Sequence, residues 1–259
     1  MLSRDQLLHF AEHGWVLEED VLTVEQIEAY KQGLDEQSTL YKAKDEDTED
    51  ITNITSMVNF DQLFRDWIMI PQVLEANRQL MGCEIKLECC HAMIKIPHPD
   101  RVKKREELLD PMKRGWHRGI RPKWGTYAHD TDPDLINCTF LNNITYLTDV
   151  APMDGGTMVL DGSHKHEGYY GKLMDQCNVV ELTAKAGSIL HFTESLIHAG
   201  VPILSENTRY TMFYGFTPSW YTPWPDSDVA PHIIEATKNE ELRNILGGQV
   251  AYTGQESVL

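Results

Sequence analysis

The chain has 259 residues, 41% of them hydrophobic and 24% charged, which is ordinary globular usage and excludes wholesale disorder. A formal charge of −17 argues against binding a nucleic-acid polymer, because phosphate backbones are held by clustered Lys and Arg. Five cysteines without a CxxC pair, an amino terminus unlike a signal peptide and no apolar run of about 20 residues point to a reducing cytoplasm and against membrane insertion.

Ser3 with Gln6 and Thr23 with Gln26 have capping-box spacing, which predicts helices over 4–13 and 24–36 with a strand at 15–17 after Gly14. Residues 45–50 hold five acids and read as an exposed loop. A helical region follows over 60–81, its second half beginning at Pro71. From Cys83 the pattern changes to short runs separated by Gly, Pro, Asn and Asp. Strands are predicted near 83–96, 115–119, 136–148, 157–160, 178–183, 187–192, 196–202 and 208–217. That rhythm favours a double-stranded β-helix, or jelly roll, with flanking helices. Residues 226–246 read as a last helix outside it. One domain over 1–259 follows, mostly helical to 82, jelly roll over 83–217 and a helical extension over 218–259.

Charge is unevenly spread. Residues 101–123 carry nine basic against three acidic side chains, a net +6, which leaves −23 for the rest. Such an island serves an anionic ligand or is a solvated loop. Trp116, Trp124 and Tyr127 interleave with Arg118, Arg121 and Lys123, which suits stacking on a base with phosphate contacts and equally suits packing at a barrel rim. The expected partner is a small anionic substrate, nucleotide-like or otherwise phosphorylated, with an acyl-CoA or an acyl group on a carrier protein behind it.

Four segments of the strand-rich region stand in an informative order. They are Gly115-Trp116-His117-Arg118-Gly119, the run from Met153 to Lys165, His198-Ala199-Gly200-Val201-Pro202, and Arg209-Tyr210-Thr211, with Arg209 eleven residues beyond His198. In this order they resemble the phytanoyl-CoA dioxygenase-like branch of the Fe(II)/2-oxoglutarate oxygenases, and the amino-terminal helix, strand and helix are similar too. The resemblance implies that His117 and His198 ligate Fe(II), leaving a face of the metal for 2-oxoglutarate and O2. It implies that Arg209 grips the distal carboxylate of 2-oxoglutarate. Thr211, on the same strand face, either adds a hydroxyl bond or is an ordinary strand threonine. His164 and His166 read as structural, and His191 as a weaker ligand candidate than His198.

The chain departs from the family at position 119. Hydroxylating members have His-x-Asp there, whereas this chain has Gly119, which offers no donor atom. The related halogenases also have a small residue at that place, and chloride or bromide binds the iron in the vacated site. The first expectation is therefore a halogenase, coupling 2-oxoglutarate decarboxylation to succinate and CO2 with chlorination of an unactivated C–H, Gly119 being the deciding residue. A hydroxylase whose ligand Asp has become Gly119 is the alternative, and a non-catalytic metabolite-binding descendant the third. Asp130, Asp132 and Asp149 lack the spacing of an obvious replacement carboxylate.

Overall fold

The computed structural model describes residues 1–40, 50–120, 122, 126–128, 136–222 and 229–247. In chain order its elements are α1 (Arg4–His13), β1 (Trp15–Glu18), α2 (Val24–Leu40), β2 (Ile51–Thr55), α3 (Gln62–Asp66), α4 (Pro71–Met81), β3 (Ile85–Lys95) and α5 (Arg105–Leu109). Then come β4 (Thr126–Ala128), β5 (Ile136–Cys138), β6 (Leu141–Tyr146), β7 (Thr157–Leu160), α6 (Tyr170–Leu173), β8 (Val179–Leu182), β9 (Ile189–Thr193), β10 (His198–Gly200), β11 (Arg209–Pro218), α7 (Pro231–Ala236) and α8 (Glu240–Ile245).

The strands form a six-stranded sheet in the order β1-β9-β6-β11-β3-β2, a three-stranded sheet in the order β10-β7-β8, and a β4–β5 pair. Neighbouring strands are antiparallel throughout. Alternation along β11 decides what each face of the large sheet meets. Met212, Tyr214 and Phe216 join the cluster of Phe10, Leu34, Trp67 and Leu80 contributed by the helices. Tyr214 lies flat on Trp67, ring centroids 3.9 Å apart, and its hydroxyl donates to Phe64 O at 2.8 Å. The opposite face carries Arg209, Thr211 and Phe213. Beside it Ile144, Tyr146, Leu190 and Phe192 pack with Val159 and Leu182 of the small sheet. The helices thus cover one face of the large sheet, and the site lies between the sheets.

Both capping boxes form. Ser3 Oγ accepts from Gln6 N at 3.3 Å while Gln6 Oε1 accepts from Ser3 N at 2.9 Å, and Thr23 and Gln26 make the same exchange at 3.2 and 2.9 Å.

Several boundaries differ from those expected. The edge strand β2 was not anticipated, since the alternating Ile-Thr-Asn-Ile-Thr follows an acidic run and buries only Ile54 fully. The helix expected over 60–81 is broken by a 3-10 turn at Trp67–Met69, because Ile70 precedes Pro71 and takes extended ψ 123°. The strand expected over 115–119 is a single bridge from His117 to His198. The stretch 136–148 divides into β5 and β6. Of the last helix, 226–228 lies outside the described residues and the rest divides at Asn239, whose side chain caps α8 through Leu242 N at 3.0 Å.

Candidate active site

β10 is three residues long and holds the centre of the site. His117 N donates to His198 O and His198 N to His117 O, both at 3.0 Å, so residue 117 adds one bridge to the edge of the small sheet. The imidazole centroids stand 4.2 Å apart. In each ring Nδ1 meets a carbonyl two residues earlier, Gly115 O at 2.8 Å for His117 and Leu196 O at 2.9 Å for His198. A carbonyl only accepts, so Nδ1 carries the proton and the Nε2 lone pair is left for a metal. Burial, followed by the nearby His117, pulls the His198 pKa down to about 4, which keeps that imidazole neutral and fit to ligate at neutral pH.

Arg209, at the start of β11, is 5% exposed, and its Nε has no hydrogen-bond partner. The one contact of its Nη2 is the Met93 sulfur at 3.7 Å. Lys95 lies directly across the β11–β3 ladder, hence on the same face, and is 7% exposed with Nζ donating to Val201 O at 3.0 Å. Burial, then Arg209, lowers the Lys95 pKa to about 8. Two cations buried side by side, one with an orphaned guanidinium N–H, could hold an anion, because burying charge without a partner is costly. Arg209 was singled out in the sequence and Lys95 was not. Thr211 shares this face, but its hydroxyl donates to Met93 O at 3.3 Å.

The corner at Gly119 holds a second group that sequence reasoning missed. Glu194, between β9 and β10, accepts from Gly119 N at 2.8 Å through Oε1 and from the Asn142 side chain through Oε2. A Cβ at position 119 would stand 2.6 Å from Glu194 Oε1. The space that a halide would need beside Gly119 therefore contains a carboxylate. Burial raises the Glu194 pKa, opposed by Asn142, His117 and the Gly119 N–H. Of the acids weighed from sequence, Asp149 pairs on the surface with Lys185 at 2.9 Å, and Asp130 and Asp132 lie outside the described residues. Among the described residues no three His, Cys, Asp or Glu side chains already form a metal-holding group.

Several side chains of the basic island are engaged within the protein. Arg101 grips Glu206 with Nη2 at 2.7 and 2.8 Å, Lys104 pairs with Asp100 at 2.6 Å and Lys113 with Glu107 at 3.5 Å. The Arg118 guanidinium donates to the carbonyls of Ser163, His166 and Ser195 at 3.0–3.2 Å and to that of Gly168. It clamps the 163–168 turn to the ligand strands. Trp116 is buried, with Nε1 donating to Pro111 O at 2.7 Å and its ring against Leu160, Leu173 and Ile197. It is a wall rather than a stacking platform. Arg121, Lys123 and Trp124 lie outside the described residues, as does the side chain of Tyr127.

A cleft of about 560 Å³ opens over this centre, lined by Trp116, His117, Arg118 and Gly119 on one side and by Glu167, Tyr169, Tyr170 and Ile197 on the other. His191 points elsewhere. Period-2 alternation sets it opposite Phe192, whose ring touches His198 at 4.7 Å, and its Nε2 meets Glu18 at 3.3 Å. His164 is buried with Nε2 donating to Ala11 O at 3.2 Å, in keeping with a structural role.

Solved structures of known proteins share this fold. HygX from Streptomyces hygroscopicus, determined with nickel and 2-oxoglutarate bound, superposes with a TM-score of 0.70 at 17% identity, covering 89% of this chain and 93% of HygX. The non-haem α-ketoglutarate-dependent epimerase SnoN from nogalamycin biosynthesis gives 0.65 at 13% identity over 88% of this chain and 91% of SnoN. The carbocyclase SnoK from the same biosynthesis gives 0.63 at 14% over 91% of each chain. No curated protein sequence matches the chain. The family model for phytanoyl-CoA dioxygenase (PhyH) matches residues 10–211, most of the chain and every segment just described. The protein therefore belongs to the phytanoyl-CoA dioxygenase (PhyH) family and is a non-haem iron and 2-oxoglutarate-dependent oxygenase with that family's jelly-roll fold.

Proposed function

We propose that the chain oxidises a C–H bond of a small molecule seated in the cleft over His117, with iron held by His117 and His198 and 2-oxoglutarate held by Arg209. The observation that carries this reading is the pair of adjacent imidazoles with both Nδ1 atoms tied to backbone carbonyls, together with a buried Arg209 guanidinium that has an orphaned N–H. Iron with 2-oxoglutarate supplies the oxidising chemistry when bound. The protein's share is to orient the imidazoles, to neutralise the 2-oxoglutarate carboxylate with Arg209 and Lys95 in a water-poor interior, and to hold the substrate between Trp116 and the 167–170 segment. HygX has been determined with hygromycin B and SnoN with nogalamycin RO, both small molecules, which supports a substrate of that size here. With Arg118 engaged on carbonyls and Glu167 the acid among the described lining residues, the cleft favours a neutral or cationic substrate over the anionic one expected from sequence.

Oxidation without halide is the better supported outcome. SnoN and SnoK are an epimerase and a carbocyclase, and the Gly119 corner contains Glu194. Gly119 itself favours the halogenase as second reading, and one assay separates the two. Anaerobic Fe(II) and 2-oxoglutarate should produce a weak visible charge-transfer band that His117→Ala and His198→Ala abolish; a band unchanged in both variants rejects the ligand assignment. Product mass should then be independent of chloride and bromide, and incorporated halogen would restore the halogenase reading.

A further inference from the structure

We propose that Glu194 is the acidic group of this metal site, acting from the β9–β10 connection in place of the carboxylate that Gly119 lacks. The inference rests on the assignment of His117 and His198 as ligands and adds to it a residue that the sequence alone did not single out.

Space and charge carry the argument. A Cβ at 119 would stand 2.6 Å from Glu194 Oε1 and 3.0 and 3.1 Å from its Cγ and Cδ, so a side chain there and the Glu194 carboxylate in its present position compete for one volume, and one of them must shift. Glycine is the residue that lets Glu194 in. The carboxylate is anchored there by Gly119 N at 2.8 Å and by Asn142 from β6, and Glu194 N donates to Phe140 O at 3.0 Å, which fixes its backbone. The anchoring N–H is two residues from His117, and Glu194 lies four residues before His198. A buried carboxylate is unfavourable unless hydrogen bonds and a cation compensate it, and the hydrogen bonds here come from Gly119 N and the Asn142 side chain, with no Lys or Arg of the described residues paired with it. A divalent metal between the imidazoles is that cation. Each carboxylate oxygen keeps a second lone pair beyond its hydrogen bond, so the anchor and an interaction with the metal are compatible.

The test is Ni(II) and Co(II) affinity of the purified apoprotein by calorimetry, with folding checked by thermal melting. Glu194→Gln keeps the shape and a hydrogen-bonding carbonyl oxygen while removing the charge. We expect about tenfold or greater loss of metal affinity with the melting temperature of the metal-free protein maintained. Gly119→Asp/Glu194→Ala should recover most of that affinity, because the carboxylate returns to the volume that Glu194 vacates. Chloride should leave wild-type Ni(II) affinity unchanged and should raise it in Glu194→Ala, where the corner is open to an anion. Wild-type affinity in Glu194→Gln, or chloride dependence equal in wild type and Glu194→Ala, would overturn the proposal. His117→Ala is the control for the underlying assignment. Loss of metal there with none in Glu194→Gln refutes the role of Glu194 alone, whereas full affinity in His117→Ala refutes the metal site itself.

Discussion

Substituting Leu for Arg209 removes a guanidinium that is 5% exposed, has no partner at Nε among the described residues and whose Nη2 donates to the Met93 thioether at 3.7 Å. Burial already holds this group below the ordinary guanidinium pKa, a sign of how poorly the ligand-free interior solvates it. An unsatisfied buried polar group costs about 1–3 kcal/mol, so the ligand-free variant should be as stable as wild type or up to that much more stable. For a chain of this size that is a rise of about 2–4 °C in Tm per kcal/mol. Binding should move the opposite way. Two charge-assisted bonds to a carboxylate contribute about 1.5–3 kcal/mol each, so 2-oxoglutarate affinity should fall by more than about 100-fold while metal affinity is retained. Thermal melting with and without 2-oxoglutarate, together with calorimetry at fixed metal, measures both arms. An unchanged affinity with a Tm lowered by several degrees would refute the reasoning, since Arg209 would then be a packing residue and not a receptor.

Lys95 gives a pH signature. Its ammonium is lost above about 8 in the free protein, so 2-oxoglutarate affinity should be level below pH 8 and fall as pH rises past it. Lys95→Met should be weaker and flat over that range; a wild-type profile in the variant would dissociate Lys95 from the anion. The same residue binds its proton less tightly folded than unfolded, which has an ordinary value of 10.5, so its effect on the ligand-free protein is increasing stability from about pH 8 towards 10.5. Arg118→Ala should release the 163–168 turn, raising KM for the substrate more than it changes 2-oxoglutarate affinity, because the lost bonds go to the carbonyls of Ser163, His166, Gly168 and Ser195. Steady-state kinetics with each reactant varied in turn checks this; equal KM in variant and wild type would exclude the clamp.

Local signals made much of the molecule legible. The hydroxyl and amide of Ser3-x-x-Gln6 and Thr23-x-x-Gln26 satisfy the orphan N–H groups at a helix start wherever they occur, and both helices begin there. The short strands after Cys83 reflect side-chain alternation, which is why a jelly roll was readable without coordinates, whereas His117, His198 and Arg209 were singled out only through the family resemblance. Breaks inside longer segments, at Ile70 before Pro71 and at Asn239, depend on single residues whose effect the surrounding pattern obscured. The charge of residues 101–123 could be counted in the sequence, but the partners of Arg101 and Arg118 could not, because Glu206 and the carbonyls of residues 163–195 lie far along the chain.

Two features were decided by tertiary structure alone. Lys95 stands out in no way in the sequence until antiparallel pairing sets it opposite Arg209, where it is buried. Gly119 reads as a missing ligand until Glu194, seventy-five residues later, is seen to stand where its side chain would be. A sequence lists donor atoms in chain order and has no term for the volume they compete for. Folding brings β6, β9 and residue 119 together, and only then does the absence of one carboxylate become the condition for the presence of another.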